Sequence, residues 1–152
     1  MRIPKSAALV AALAFAQGVG AQELAVWDGQ SLVASHILPV CLVWNHSVTG
    51  GLVADCFGAR DGLLVLTHSY LHDFAAGLGE VAGRGTLRPD QRGGYWIDAI
   101  NQPLPHGLTL RLGGPQVAHR LMPDPFAAYA LPLPTTRRRI TLAIIPDCPT
   151  PD

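Results

Sequence analysis

Proline is the residue that most limits the folds open to this chain of 152 residues. Eleven of its thirteen prolines lie between Pro89 and Pro151, and four of these fall within the twelve residues from Pro123 to Pro134. Proline fixes φ and has no backbone N–H, so it interrupts helices and is excluded from central strands. The second half of the chain therefore has to consist of short elements separated by loops.

The amino terminus has the three-part pattern of a secretory signal peptide. Arg2 and Lys5 give it a positive start, an apolar run follows over residues 7–16, and small residues end at Ala21. The apolar run is shorter than the roughly 20 residues of a membrane-spanning helix. We therefore expect cleavage after Ala21 and a single exported domain over residues 22–152, secreted or periplasmic, with no membrane span.

Charged residues are few and nearly balanced. They make up 14% of the chain, with eleven basic and eleven acidic residues. Loss of Arg2 and Lys5 with the signal peptide leaves nine basic residues against eleven acidic ones, a net charge of −2. A protein that binds duplexes needs an excess of Lys and Arg to displace counterions, so we do not expect a nucleic acid partner.

Three cysteines, Cys41, Cys56 and Cys148, follow the expected signal peptide. An oxidising compartment favours one disulfide and leaves one thiol over. The first two cysteines lie in strand-like runs on either side of turn-forming residues 47–51. A tight turn centred on Val48 and Thr49 makes residues whose numbers sum to 97 face each other, which places Cys41 opposite Cys56. A bond between Cys56 and Cys148 is the alternative.

Short apolar runs bounded by Gly and Pro indicate further strands. The predicted strands are residues 40–46, 52–57, 63–67, 95–100 and 140–145. Alternating apolar residues predict another hairpin, in which 108–112 pairs with 117–121. Ser69 is placed to cap one short helix over about 69–78. The expected fold class is mainly β, a small antiparallel sandwich or barrel with that one helix.

His68, His72 and Asp73 form a short cluster of residues that bind metals in other proteins. A spacing of four puts both histidines on one turn of a helix, as in many zinc sites. The zinc-protease motif needs Glu directly after the first histidine, and Ser69 stands there instead. The alternative interpretation is one histidine at a strand end and another on a polar helix face.

Motifs for catalysis are missing from the sequence. None of the serines lies in a G-x-S-x-G elbow, and the carboxylates are spread singly. Lys5 is the only lysine, so a phosphate-binding loop of the G-x-x-x-x-G-K type is excluded once the signal peptide is removed. We therefore predict no catalytic residue and no cofactor, and we favour a protein that is not an enzyme.

Aromatic and arginine residues mark the surface that we expect to meet a partner. Trp27, Tyr95 and Trp96 flank glycine turns, where a large amphipathic ring is available to another molecule. Arg137 and Arg139 share one face at the entry to the last strand, which favours an anionic partner. A charged strand edge that blocks aggregation is the alternative explanation of these arginines.

Three classes of function remain after these exclusions. The sequence favours an exported, non-catalytic binding or accessory module with a protein or an anionic glycan as its partner. One alternative is a metal-binding protein or metal-dependent enzyme that uses His68, His72 and Asp73. A second alternative is a structural subunit of a surface assembly, for which long unpaired apolar strand edges are the expected sign.

Overall fold

Eleven strands and no helix make up the regular structure of residues 21–73, 83–134 and 138–145, the part of the chain that the computed structural model describes. The strands are β1 (Glu23–Asp28), β2 (Ser31–Ile37), β3 (Val40–Asn45), β4 (Leu52–Arg60), β5 (Leu63–Leu71), β6 (Thr86–Pro89), β7 (Tyr95–Asp98), β8 (Gln102–Leu104), β9 (Leu108–Arg111), β10 (Arg120–Met122) and β11 (Arg139–Ile144). The predicted mainly β fold class is confirmed.

Two antiparallel sheets pack against each other as a sandwich. The smaller sheet has the strand order β2-β1-β11-β9, and the larger has the order β10-β3-β4-β5-β7-β6, with β8 paired to β5. Apolar side chains from both sheets meet between them. Leu24, Val26 and Leu142 of the smaller sheet and Phe57 and Leu64 of the larger one are almost completely buried in this core.

The β3–β4 hairpin has the register predicted from the sequence. Cys41 faces Cys56, and Val40 faces Phe57, so the partner numbers sum to 97 as expected. A disulfide joins Cys41 to Cys56. The prediction of this bond is confirmed, and Cys56 is not the partner of Cys148.

A second apolar cluster surrounds this disulfide on the outer face of the larger sheet. Val40 and Leu42 point into the core between the sheets, so the alternating geometry of a strand turns Cys41 outward. The disulfide packs there with Tyr70 and Met122. Phe126, from the loop after β10, covers Tyr70 with its ring centroid 5.0 Å away.

The helix predicted over 69–78 is wrong where the structure describes it. Ser69 and Leu71 belong to β5, in which Ser69 pairs with Asp55 of β4 on one side and Ile97 of β7 on the other. Strand pairing on both sides outweighs the weak helical preference of so short a segment. Residues 74–78 of the predicted helix lie outside the described residues.

The predicted hairpin between 108–112 and 117–121 is also wrong. Strand β9 pairs with β11 of the smaller sheet, where Leu108 faces Leu142. Strand β10 pairs with β3 of the larger sheet, where Leu121 faces Leu42. Alternation shows which side of a strand is buried, but it does not show which strand lies beside it.

Candidate functional site

Two of the predicted partner-binding residues, Trp27 and Arg139, lie on the outer face of the smaller sheet. Val26 and Ile140, next to them in sequence, are buried in the core between the sheets. Because successive residues of a strand point to opposite faces, Trp27 and Arg139 are directed away from that core. Trp27 is partly exposed and Arg139 is exposed.

Threonine and arginine pairs complete this surface. Trp27 faces Thr141 across β1 and β11. Thr141 in turn faces Thr109 of β9, and their hydroxyl groups form a hydrogen bond of 2.9 Å. One row further along the same face, Arg139 stands directly opposite Arg111, which is also exposed. We call Trp27, Thr109, Arg111, Arg139 and Thr141 the arginine–tryptophan face.

Two positive charges therefore lie side by side on this face. Side chains that face each other across antiparallel strands have Cβ atoms about 4.5–5.5 Å apart, and like charges at that spacing are destabilising. Within the described part of the chain, neither Arg111 nor Arg139 is in an ion pair. The neighbouring Arg138 does form an ion pair. Its guanidinium donates a hydrogen bond to the carboxylate of Asp28.

Trp96 and Tyr95 lie in the other sheet, so the structure does not bring them to the arginine–tryptophan face. Trp96 is packed in the second apolar cluster, where its ring contacts His68 and Tyr70, each with a centroid distance of 5.3 Å. The guanidinium of Arg88 lies over the same ring, 5.8 Å from its centroid. Tyr95 precedes Trp96 on β7 and points to the opposite face. Arg137 lies outside the described residues.

The predicted metal-binding residues follow an extended strand rather than a helix. His68 belongs to β5, its Nδ1 atom is 2.9 Å from the hydroxyl of Thr67, and His72 follows the end of the strand in an exposed position. Residues four apart are about 13 Å apart along a strand but about 6 Å apart along a helix axis. The two histidines therefore do not share the helical turn on which the metal hypothesis depends. The strand geometry also gives no support for Asp73, next to His72, as a third metal ligand.

Another set of potential metal ligands involves the disulfide. Among the described residues, ligand atoms of Cys41, Cys56 and His68 lie within 4.8 Å of one another. Both sulfurs are joined in the disulfide and are not available as thiolates. Burial lowers the pKa of His68, and the charge of Asp98 acts in the opposite direction.

A small pocket that the sequence did not indicate opens on the inner face of the larger sheet. Asp55 and Ser69 lie at its centre, and the Ser69 hydroxyl donates a hydrogen bond of 2.5 Å to the Asp55 carboxylate. Burial raises the pKa of Asp55, while the bond from Ser69 and the charge of Arg84 act to lower it. One feature of the sequence could have indicated this pocket. The pairing of residues whose numbers sum to 97 places the carboxyl group of Asp55 opposite the apolar Leu42.

An exposed apolar edge lies on the smaller sheet. Strand β2 is at the end of the strand order, with β1 as its neighbour. Leu32, Val33 and Ile37 of β2 are 50%, 44% and 64% exposed. Beside it, Ile37 and Tyr129 line a groove of about 370 Å³.

The described residues contain no helix whose length and hydrophobicity would let it span a membrane.

Comparison with protein families matches a segment that contains all strands of the larger sheet and β9 of the smaller one. Residues 40–124, more than half of the chain, match the family described as Domain of unknown function (DUF1850). The chain belongs to the DUF1850 family. The DUF1850 match runs from β3 to β10 and includes Asp55, Ser69 and Arg84, whereas Trp27 and Arg139 lie outside it. Comparisons with curated proteins and with solved structures found no significant match.

Proposed function

We propose that this protein is an exported, non-catalytic binding module that holds an anionic glycan on the arginine–tryptophan face. The observation that carries the proposal is the position of Arg111 directly opposite Arg139, with both side chains exposed. A like-charge pair of this kind is stabilised when an anion lies between the two guanidinium groups. Export is supported by the signal-like amino terminus and by a disulfide, which is typical of oxidising compartments.

The chemistry of the face suits a charged sugar. A sulfate or carboxylate group accepts hydrogen bonds from the planar guanidinium forks of Arg111 and Arg139. Trp27 lies one row away and offers a partly exposed apolar ring against which the body of a sugar packs. The Thr109 and Thr141 hydroxyls, between these groups, are further donors and acceptors.

Binding to a sulfated polysaccharide tests this proposal. We expect the purified protein to bind sulfated chains at low salt, and Arg111→Gln and Arg139→Gln each to weaken binding by about three- to ten-fold. Arg60→Gln is the matched control, because Arg60 is exposed at the end of β4 in the larger sheet and its loss changes the net charge equally. Equal weakening in the Arg60 variant, or unchanged binding in the double Arg111 and Arg139 variant, would reject the proposal.

The requirement for a sugar is tested separately from the requirement for charge. Trp27→Ala is expected to weaken binding of a sulfated polysaccharide more than it weakens binding of inorganic sulfate. Thermal unfolding of the variant shows whether the fold is retained. If sulfate alone binds as tightly as the polysaccharide to both proteins, the face is an anion site without a role for a glycan.

A second function is favoured by strand β2. Its exposed apolar residues and its place at the sheet edge are the sign expected of a subunit in an assembly, because edge backbone groups pair with a strand of another chain. The occupant in this case is a second copy of the protein. Self-association should increase with concentration, and Val33→Lys should reduce it. Val48→Lys, at the highly exposed Val48 of the β3–β4 turn, is the control. Sedimentation as a monomer at all concentrations would exclude this function.

A further inference from the structure

The pocket around Asp55 carries an inference that is independent of the arginine–tryptophan face, because the two lie on different sheets. Its apolar wall includes Trp44, Leu71 and Ile97, and its polar groups come from Asp55, Ser69 and Arg84. The centre of a water molecule has a volume of about 80 Å³ available inside it. One water needs only about 10–15 Å³ on such a measure, so the pocket has room for several waters or for one ligand of a few heavy atoms.

The two charged groups of the pocket do not neutralise each other by direct contact. Among the described residues, Asp55 and Arg84 form no ion pair within 4.0 Å, although the charge of Arg84 is near enough to act on the Asp55 carboxyl. The lining of the pocket therefore contains an acidic and a basic group that are not joined in an ion pair. A ligand that carries both charges is complementary to both.

Arg84 provides the second observation. Its Nε atom is buried and has no hydrogen-bond partner among the residues that the structure describes. A buried N–H of a charged group that lacks an acceptor is costly, so an oxygen acceptor at this position is favourable. The Asp55 carboxyl, unlike the Arg84 Nε atom, has a hydrogen-bond partner, because one of its oxygens accepts the hydrogen bond from Ser69. The carboxyl is thereby oriented in the pocket.

We infer that the pocket binds a small zwitterion, an α-amino acid of about the size of glycine, with its carboxylate at Arg84 and its ammonium group at Asp55. An anion alone leaves the Asp55 carboxyl without a partner, and a cation alone is repelled by Arg84. The five heavy atoms of glycine match the space for a few waters. Trp44, Leu71 and Ile97, which line the apolar wall, add no further charged partner for a ligand.

Titration with glycine, acetate and methylammonium at equal ionic strength tests this inference, with backbone amide NMR shifts of β4 and β5 as the measurement. Glycine should give saturable shifts, and acetate and methylammonium, which each carry one of its two charges, should bind at least about ten-fold more weakly. Arg84→Gln and Asp55→Asn should each weaken glycine binding to a similar extent. Arg60→Gln, outside the pocket, should leave it unchanged.

A titration of Asp55 separates ligand binding from a structural effect of these variants. A bound ammonium group stabilises the ionised carboxylate, so glycine should lower the pKa of Asp55, and acetate should not. Acetate binding as tight as glycine binding would show a simple anion site and overturn the inference. Shifts that do not saturate for any ligand across the millimolar range would show a pocket that holds only water, and this outcome also overturns it.

Discussion

The Ser69 hydroxyl donates a hydrogen bond of 2.5 Å to the Asp55 carboxylate across β5 and β4. This contact lies in a row of side chains that is otherwise apolar, between Leu42 of β3 and Ile97 of β7. Burial is the largest influence on Asp55 and raises its pKa. The ionised carboxylate therefore reduces the stability of the fold, and the Ser69 hydroxyl offsets part of that cost.

Replacing Asp55 with Asn tests this balance. A raised carboxyl pKa contributes stability below the ordinary value of 3.8, and this contribution is lost as the pH rises through the higher pKa of the folded state. Asp55→Asn should therefore gain free energy of unfolding relative to the parent as the pH rises from about 4 to 7. Ser69→Ala should lose about 1.5–3 kcal/mol at pH 7, because it removes a bond to a charged group. Urea unfolding at both pH values measures these changes, and a gain for Asp55→Asn that does not depend on pH would contradict the assignment.

For His119 we predict that the stability of the fold depends on pH in the opposite direction. Its Nδ1 atom accepts the backbone N–H of Gly113 at 2.9 Å, and its ring stacks on Trp44 with a centroid distance of 5.9 Å. Burial, and then the charge of Arg120, lower its pKa. The neutral ring therefore contributes stability that is present above pH 6.5 and is lost as the pH falls through the lower pKa of the folded state.

Unfolding measurements between pH 7 and pH 5 test this prediction. The free energy of unfolding of the parent protein should fall over this range, and the fall should be smaller in His119→Gln. His68, whose pKa is also lowered by burial, should account for part of the remaining dependence. Val48→Gln is the control, because Val48 is highly exposed and does not titrate, and this variant should show the pH dependence of the parent. An unchanged pH dependence in His119→Gln would refute the role of this ring.

Local features of the sequence predicted local features of the fold. The length of the turn between β3 and β4 determines the register, so the pairing of Cys41 with Cys56 followed from counting residues. The position of Ser69 in a strand could not be predicted in this way. Its preference for a helix cap contributes less stability than its pairing with strands β4 and β7. The pairing of β9 with β11, which is distant in sequence, could not be predicted either, because no local pattern specifies it.

The candidate sites were predicted only in part for the same reason. Trp27 and Arg139 were each proposed from their residue type, but their common face depends on the pairing of β1 with β11. Arg111 was missed because it gains significance only from its position opposite Arg139. The pocket was missed because Arg84, which lines it together with Asp55, comes from a distant part of the chain.

The Cys41–Cys56 disulfide should contribute substantially to stability. It closes a loop with a sequence separation of 15, for which restriction of the unfolded chain is worth about 3 kcal/mol. A variant with both cysteines replaced by Ser should lose about 2–4 kcal/mol in urea unfolding. Reductant should destabilise the parent but not the variant, which provides the control. Equal sensitivity to reductant in both proteins would show that this disulfide does not account for the effect.

The facing pair Arg111 and Arg139 makes a prediction about stability that does not require a ligand. Like charges directly opposite on neighbouring strands cost about 0.2–1 kcal/mol, so Arg139→Gln should raise the free energy of unfolding by that amount at low salt. The gain should shrink at about 1 M salt, where the Debye length is about 3 Å. Arg111→Gln should give a similar gain, and the double variant little more, because the repulsion is removed only once. Urea unfolding with Arg60→Gln as control measures this. Additive gains, or an equal gain in the control, would show an effect of net charge instead of a repulsive pair.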